Sequence, residues 1–284
     1  VPQEETETLR EAHVVGTVLK DKLDALYARY NRRRFVHPDP LEFLYRYEDA
    51  DDREVVGMIA SSLAYGRVAH ILKSVRTVLG LFGPSPASFL DRASRRELLD
   101  ALAGFEHRFT TGPELAALLY GVGRVRRRHG SLAKCFEAGM DPGEDLLAPL
   151  SAFVAELTAA AEEPLLHLVP SPERGSACKR LNLFLRWMVR RDAVDPGGWD
   201  GVPRSMLLVP LDTHMHRVGR ALGFTKRAQA DWRAAAEVTA AFKTLAPDDP
   251  VRYDFALTRL GIRGDADMGE FLAGLNLQGA RQHG

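Results

Sequence analysis

The chain is 284 residues long, 45% hydrophobic, 8% aromatic and 27% charged, and its 38 basic side chains balance 38 acidic ones. That length buries a large core, in one domain or two closely packed ones, and the composition is that of a globular protein. Formal neutrality argues against a protein that coats nucleic acid by bulk attraction. No apolar run reaches the roughly 20 residues of a membrane span, and two cysteines, Cys135 and Cys178, furnish neither a disulfide framework nor a four-thiolate cluster.

The start, VPQEETETLREAH, lacks the basic tip and apolar stretch of a secretion signal. Residues 1–13 therefore read as a tail and the setting as cytoplasmic. Over 14–33, Val14, Val15, Val18, Leu19, Leu23, Leu26 and Tyr27 recur at a period near 3.6, which predicts an amphipathic helix. HPDP at 37–40 interrupts it, because each proline lacks a donor and restricts the residue before it. A short helix over 41–47 then leads into the acidic corner EDADD. There Asp51 or Asp52 is placed to cap EVVGMIASSLAYG, a helix whose small residues permit a close crossing.

RVAHILKSVRTVLGLF and residues 94–102 follow as helices around the break GPSPASF. Gly112 and Pro113 open a helix that Gly130 closes. Further helical patterns cover 141–163, 179–191, 231–242 and VRYDFALTRLGIRG, and DMGEFLAGL forms the last turns. Only 206–211 has strand character, and so short an apolar run is ambiguous. The fold expected is all-α.

The stretch 179–220 holds the chemistry. Lys179 opens a helix that puts Leu181, Phe184, Leu185 and Met188 on one side. Asp212 stands at the start of the next helix, where a carboxylate accepts first-turn amides and is fixed in direction. On spacing alone a carboxylate at such a junction is more often a plain helix cap than a catalytic group. A lysine near other cations and shielded from water becomes a nucleophile toward an electrophilic carbon; in most proteins it is a surface charge. His214 and His216, in PLDTHMH, resemble the His-x-His motif of metal-dependent amidohydrolases. That family needs downstream ligands and an alternating barrel pattern that this chain lacks, so no metal site is expected.

VPLDTHMHRVGRALG resembles the Asp-bearing segment of the endonuclease III, or helix-hairpin-helix, DNA glycosylase superfamily. Through DPLEFLYRYEDADDREVVGMIASSLAYGRVAHI, CKRLNLFLRWMVRRD and PLDTHMHRVGRALG the chain also looks like the bacterial domain-of-unknown-function 2400 family, over roughly residues 15–275 by that comparison of motifs. The resemblance implies a DNA glycosylase-like helical fold over 14–275, with an active-site cleft between two interleaved lobes, and a C-terminal tail over 276–284. It implies Asp212 as catalytic carboxylate and Lys179 as the Schiff-base lysine of strand-cutting members. The Lys179-to-Asp212 separation of 33 residues is similar to that of archaeal 8-oxoguanine glycosylases. SPERGSACK stands where most members carry a Gly-rich hairpin, and the iron–sulphur cluster of endonuclease III is excluded by the cysteine count.

The activity implied is a glycosylase and AP lyase that excises an oxidised purine, 8-oxoguanine first, from double-stranded DNA, acting as a nucleoid-associated monomer without a cofactor. Tyr65, Phe184, Trp187, Trp199 and His214 are the candidates for the base pocket. Arg67, Arg180, Arg186, Arg190, Arg204 and Arg217 are the candidates for phosphate binding, with Arg126, Arg127 and Arg128 as a further group. The alternatives are a glycosylase that uses Asp212 alone and a helical DNA-binding protein without catalysis.

Overall fold

Helices dominate the computed structural model, which describes residues 2–141, 143, 145–165, 167–262 and 268–273. The first, α1 (Pro2–Tyr30), begins upstream of the predicted start at Val14, so residues 2–13 are helical in backbone. Pro40–Arg46 then forms a 3-10 turn capped by Asp39. Next comes α2 (Ala50–Ser62), and its cap is neither Asp51 nor Asp52: the Asp49 carboxylate accepts from the amides of both. Asp52 instead accepts from Ser85 Oγ and Ala87 N, each at 2.8 Å. It thereby ties α2 to α4 (Pro86–Arg92), beyond α3 (Val68–Leu79).

After α5 (Arg95–Ala101) the chain makes a hairpin that the sequence analysis did not foresee. Strand β1 (Glu106–His107) pairs antiparallel with β2 (Thr110–Thr111) around a loop of Arg108 and Phe109. The loop lacks the Asn-Gly signal of a two-residue turn; Arg108 itself takes the left-handed conformation, φ 57°.

Then follow α6 (Gly112–His129), α7 (Leu132–Glu137), α8 (Leu147–Ala161), α9 (Lys179–Val189), α10 (Thr213–Ala221), α11 (Trp232–Leu245), α12 (Asp254–Ile262) and α13 (Met268–Ala273). Residues 207–212 form neither helix nor strand, and among the described residues the one sheet is the β1–β2 pair. The tail over 276–284 lies outside the described residues.

Helix α6 packs against α8, α4, α5 and α7, while α2 packs on α9 and on Pro40–Arg46. Elsewhere α1 lies on α12, and α10 on both α12 and α11. A single apolar core runs through these layers.

Three aromatics assigned to a base pocket, Phe184, Trp187 and Trp199, belong to that core. Phe184 and Trp199 meet edge to face at 5.1 Å, beside Phe136 and Phe153. The DPGGWDG loop is not an exposed loop, because its backbone folds back on α9: Gly197 N and Trp199 N donate to the Trp187 and Met188 carbonyls. The Trp199 indole N–H donates to Glu54 Oε2 at 3.1 Å. Burial raises the Glu54 carboxyl, and two amides of α7 together with Arg126 counter it.

The polar centre is Asp195, fully buried between Arg186 and Arg190. Arg186 also pairs with Asp254 of α12, and Arg190 with Asp192 and Asp249, each at 2.9 Å. Burial pushes the Asp195 and Asp254 carboxyls up, and the arginines beside them pull down. Replacing Asp195 by Ala leaves two buried guanidiniums short of a partner, with an expected loss of about 3–5 kcal/mol. Urea unfolding measures it, with the exposed Arg191→Ala as a control that shifts by less than ~0.5 kcal/mol.

Candidate active site

Asp212 takes the extended conformation that precedes a helix, and its Oδ1 accepts from Met215 N at 2.9 Å. The cap is built as the sequence predicts. Its second oxygen, Oδ2, is 3.9 Å from Lys179 Nζ. Helix α10 is seated closely on α11 because position 219 is glycine: a Cβ there would meet Val238 Cγ2 at 2.6 Å. That contact sets where the Asp212 end of the helix lies.

Lys179 is the first residue of α9, and the residue before it, Cys178, has φ 46° and ψ 38°. A cation at the positive end of a helix dipole is unfavourable, and a non-glycine residue in the left-handed region is uncommon and strained. Local energetics therefore do not explain a lysine here. The surroundings hold the turn: Cys178 N donates to Ser176 Oγ, and its thiol to the Pro170 carbonyl. Arg180, next along, donates to the Ser62 and His167 carbonyls and lies over the Tyr65 ring at 5.0 Å.

Lys179 and Asp212 line one cleft with Leu183, Trp187, Pro210 and Asp254. Its cavity has a volume of about 100 Å³. Trp187, proposed for the base pocket, lies in this wall, and its buried indole N–H has no hydrogen-bond partner. Asp39, Asp254 and Arg259 also line the cleft and were not predicted. The signal available for two of them was a carboxylate and a guanidinium within the apolar pattern of α12, DFALTRLGI.

The other predicted residues divide. Tyr65 sits outside the lining: its neighbour Ala64 faces the cleft, while the Tyr65 hydroxyl bonds His107 O and Thr110 Oγ1 of the hairpin. His214 and His216 each set Nε2 against a carbonyl, of Leu257 and Arg227 respectively. Among the described residues no group of three or more His, Cys, Asp or Glu converges as for a metal.

Arg180 is half-buried, and its guanidinium donates to two backbone carbonyls. Two of the phosphate candidates are withdrawn, because Arg186 and Arg190 are buried with carboxylates and neither presents its charge to solvent. Arg126 is likewise buried against Glu54, Asp51 and Asp91; Arg127 bonds the Leu90 and Asp91 carbonyls, and Arg128 pairs with Glu156. Arg67 and Arg217 are exposed. Arg204 is exposed too, but on a separate polar cavity with Lys20, Arg191 and Arg252.

A family model described as "Protein of unknown function (DUF2400)" matches residues 39–263. No curated protein and no solved structure matches the chain. No described helix is long and apolar enough to cross a membrane.

Burial raises the Cys178 thiol to about 11 and the Cys135 thiol to about 12. Both are expected to react slowly with an aromatic disulfide reagent in the native protein at pH 8, and both fully in denaturant. Asp212→Ala is expected to lower stability by about 0.5–2 kcal/mol through loss of the cap, whereas Asp212→Asn keeps it. Thermal melts of the two variants measure the difference.

Proposed function

This chain belongs to the DUF2400 family, and we propose that it is a DNA glycosylase with AP lyase activity, acting on an oxidised purine in duplex DNA. The observation that carries the proposal is the pairing of Lys179 and Asp212 on one cleft, 3.9 Å apart with each side chain partly exposed. As a surface ion pair it contributes only ~0–1 kcal/mol. A stabilising role is therefore a weak reason for the pair to be there, and a strained turn with a misplaced cation is its structural cost.

The chemistry assigns each residue a step. Lys179 first sheds a proton, and Asp212, one small movement or one water away, is placed to take it. The neutral amine attacks the sugar C1′; the glycosidic bond breaks, and its electron pair leaves with the base, which takes up the proton that Asp212 had accepted and so restores the carboxylate. The Asp212 carboxylate, held in direction by the Met215 amide, stabilises positive charge developing on the sugar. Ring opening moves the C1′–O4′ electrons onto oxygen, which takes one proton from the new ammonium, and leaves an iminium to Lys179. The Asp212 carboxylate then takes the C2′ proton, and the C3′–O bond breaks with its electron pair leaving on the 3′ phosphate, so excision is coupled to nicking.

Everting the base costs a few kcal/mol, least where pairing is already weak. Its destination in this scheme is the cleft wall of Leu183 and Trp187, between one helical lobe built on α6 and another that carries α10, α11 and α12. The cavity of about 100 Å³ is smaller than the roughly 300–1,000 Å³ of ligand pockets, so the scheme requires the cleft to widen on binding. The same widening would have to uncover the Trp187 N–H, which is buried and unpartnered, for it to serve such a base as a hydrogen-bond donor. The protein acts as a monomer on the nucleoid in this scheme, and the specific choice of 8-oxoguanine rests on the family resemblance alone.

Borohydride reduction in the presence of an 8-oxoguanine duplex is expected to trap a covalent adduct with the native chain and none with Lys179→Gln. Asp212→Asn is expected to slow single-turnover excision by about 10²–10⁴-fold without unfolding the protein. Excision that leaves intact abasic DNA limits the activity to a glycosylase without lyase action. Duplex binding with no product from any oxidised base leaves a non-catalytic binding protein instead.

A further inference from the structure

Phe109 is the most solvent-exposed large apolar side chain among the described residues, at 57%. Its place makes that exposure notable, because it sits at the tip of the β1–β2 hairpin with Arg108 held at positive φ beside it. A mobile loop could hide an aromatic ring against the surface. This hairpin is pinned instead.

The Tyr65 ring stacks on Phe109 at 4.7 Å with planes 21° apart. The Tyr65 hydroxyl bonds His107 O at 2.8 Å and Thr110 Oγ1 at 2.5 Å, and His167 Nε2 reaches the same threonine oxygen at 2.7 Å. The His107 ring is fixed between Ser74 Oγ and the Tyr65 carbonyl. Gly66, at φ +93°, lets the Arg108 side chain pass, since a Cβ there would meet Arg108 Cδ at 2.7 Å. The ring is thus presented on a rigid support.

Its surroundings are cationic and adjoin the cleft. A groove of about 380 Å³ runs between the hairpin and α3, lined by His70, Lys73, Ser74 and Arg108, with Glu106 as its one acidic lining residue. Arg67 is exposed at the start of α3, and residues 63–82 contain no Asp or Glu. Tyr65, which carries Phe109, follows Ala64 of the cleft wall and lies under Arg180, the neighbour of Lys179. One stack of three side chains therefore runs from the exposed ring to Arg180, the residue that follows Lys179 in the first turn of α9.

We propose that the β1–β2 hairpin is a duplex-inserting element: Phe109 enters the base stack beside the everted nucleotide, and the groove along α3 holds the flanking phosphates through Lys73, Arg108 and Arg67. This rests on the function proposed above. Eversion leaves a gap in the stack, and an apolar wedge fills it while a bent duplex gains contacts with a basic surface. The sequence tolerance of such a wedge follows from every base having a π-face.

The test uses the full chain and a duplex carrying a stable abasic analogue, so that binding is read without turnover. Phe109→Ala is expected to weaken binding by at least about fivefold with the salt slope unchanged, because a stacking contact releases no counterion. Lys73→Ala is expected to lower that slope by about one. Phe109→Trp is expected to retain affinity and to show quenched tryptophan emission on the duplex. Phe109 is exposed, and a thermal melt confirms that each variant is folded.

Equal affinity of Phe109→Ala and native chain, or unaltered emission from Phe109→Trp at saturation, overturns the hairpin proposal while leaving the glycosylase proposal intact. Quenching and weakened binding without any trapped adduct sustain the hairpin proposal and sink the lyase chemistry. A native chain that binds no duplex overturns both.

Discussion

The buried ion network around Asp195 is the constraint on which the rest of the structure depends. A carboxylate without solvent access is tolerable only if cations surround it, and Arg186 and Arg190 supply them from successive turns of one stretch of chain. Each arginine then reaches a second acid, Arg186 to Asp254 on α12 and Arg190 to Asp249 just before it. The network therefore fixes the roll of α9 relative to α12. Hydrophobic packing alone, being non-directional, leaves such a roll weakly specified. With α9 fixed, its first residue is fixed too, and the Lys179 amine comes to the cleft that α10 and α12 wall.

A second constraint acts from the other side. Helix α10 lies close to α11 because Gly219 removes the Cβ that Val238 would meet, and α10 also packs on α12. Two rigid placements converge on α12, so the distance between amine and carboxylate is set by packing far from either. The strain at Cys178 and the lysine at the positive end of a helix dipole are what the surroundings over-determine. Features of that kind gather at functional sites, since nothing in local stability maintains them.

The arginines teach a related lesson about charge. A run of basic residues in sequence reads as a face for an anionic partner, yet Arg126, Arg186, Arg190 and Arg259 are all buried with carboxylates. Formal neutrality is here partly an internal affair, with acid and base paired inside the protein. Cations that do reach solvent near the cleft include a less conspicuous group on α3 and the hairpin tip. Long-range attraction to a polyanion depends on those few exposed charges and not on the total.

The sequence by itself determined the all-α class, the start of α9 at Lys179 and the cap at Asp212. Each is a local property: periodicity, a helix start and a short motif are legible over a dozen residues or fewer. The pairing of those two as candidates came from the resemblance to a known family. The sequence also grouped Trp187 with Lys179 and Asp212, and all three line one cleft. Tertiary structure alone decided which arginines face water, that Trp199 is a core ring bonded to Glu54, that Asp39 and Asp254 join the cleft, and that Phe109 stands out on a braced hairpin. Those facts depend on partners far away in the chain, Trp199 and Glu54 being 145 positions apart. A side chain's exposure and its hydrogen-bond partner belong to the packed whole, and no window along the sequence contains both ends of such a contact.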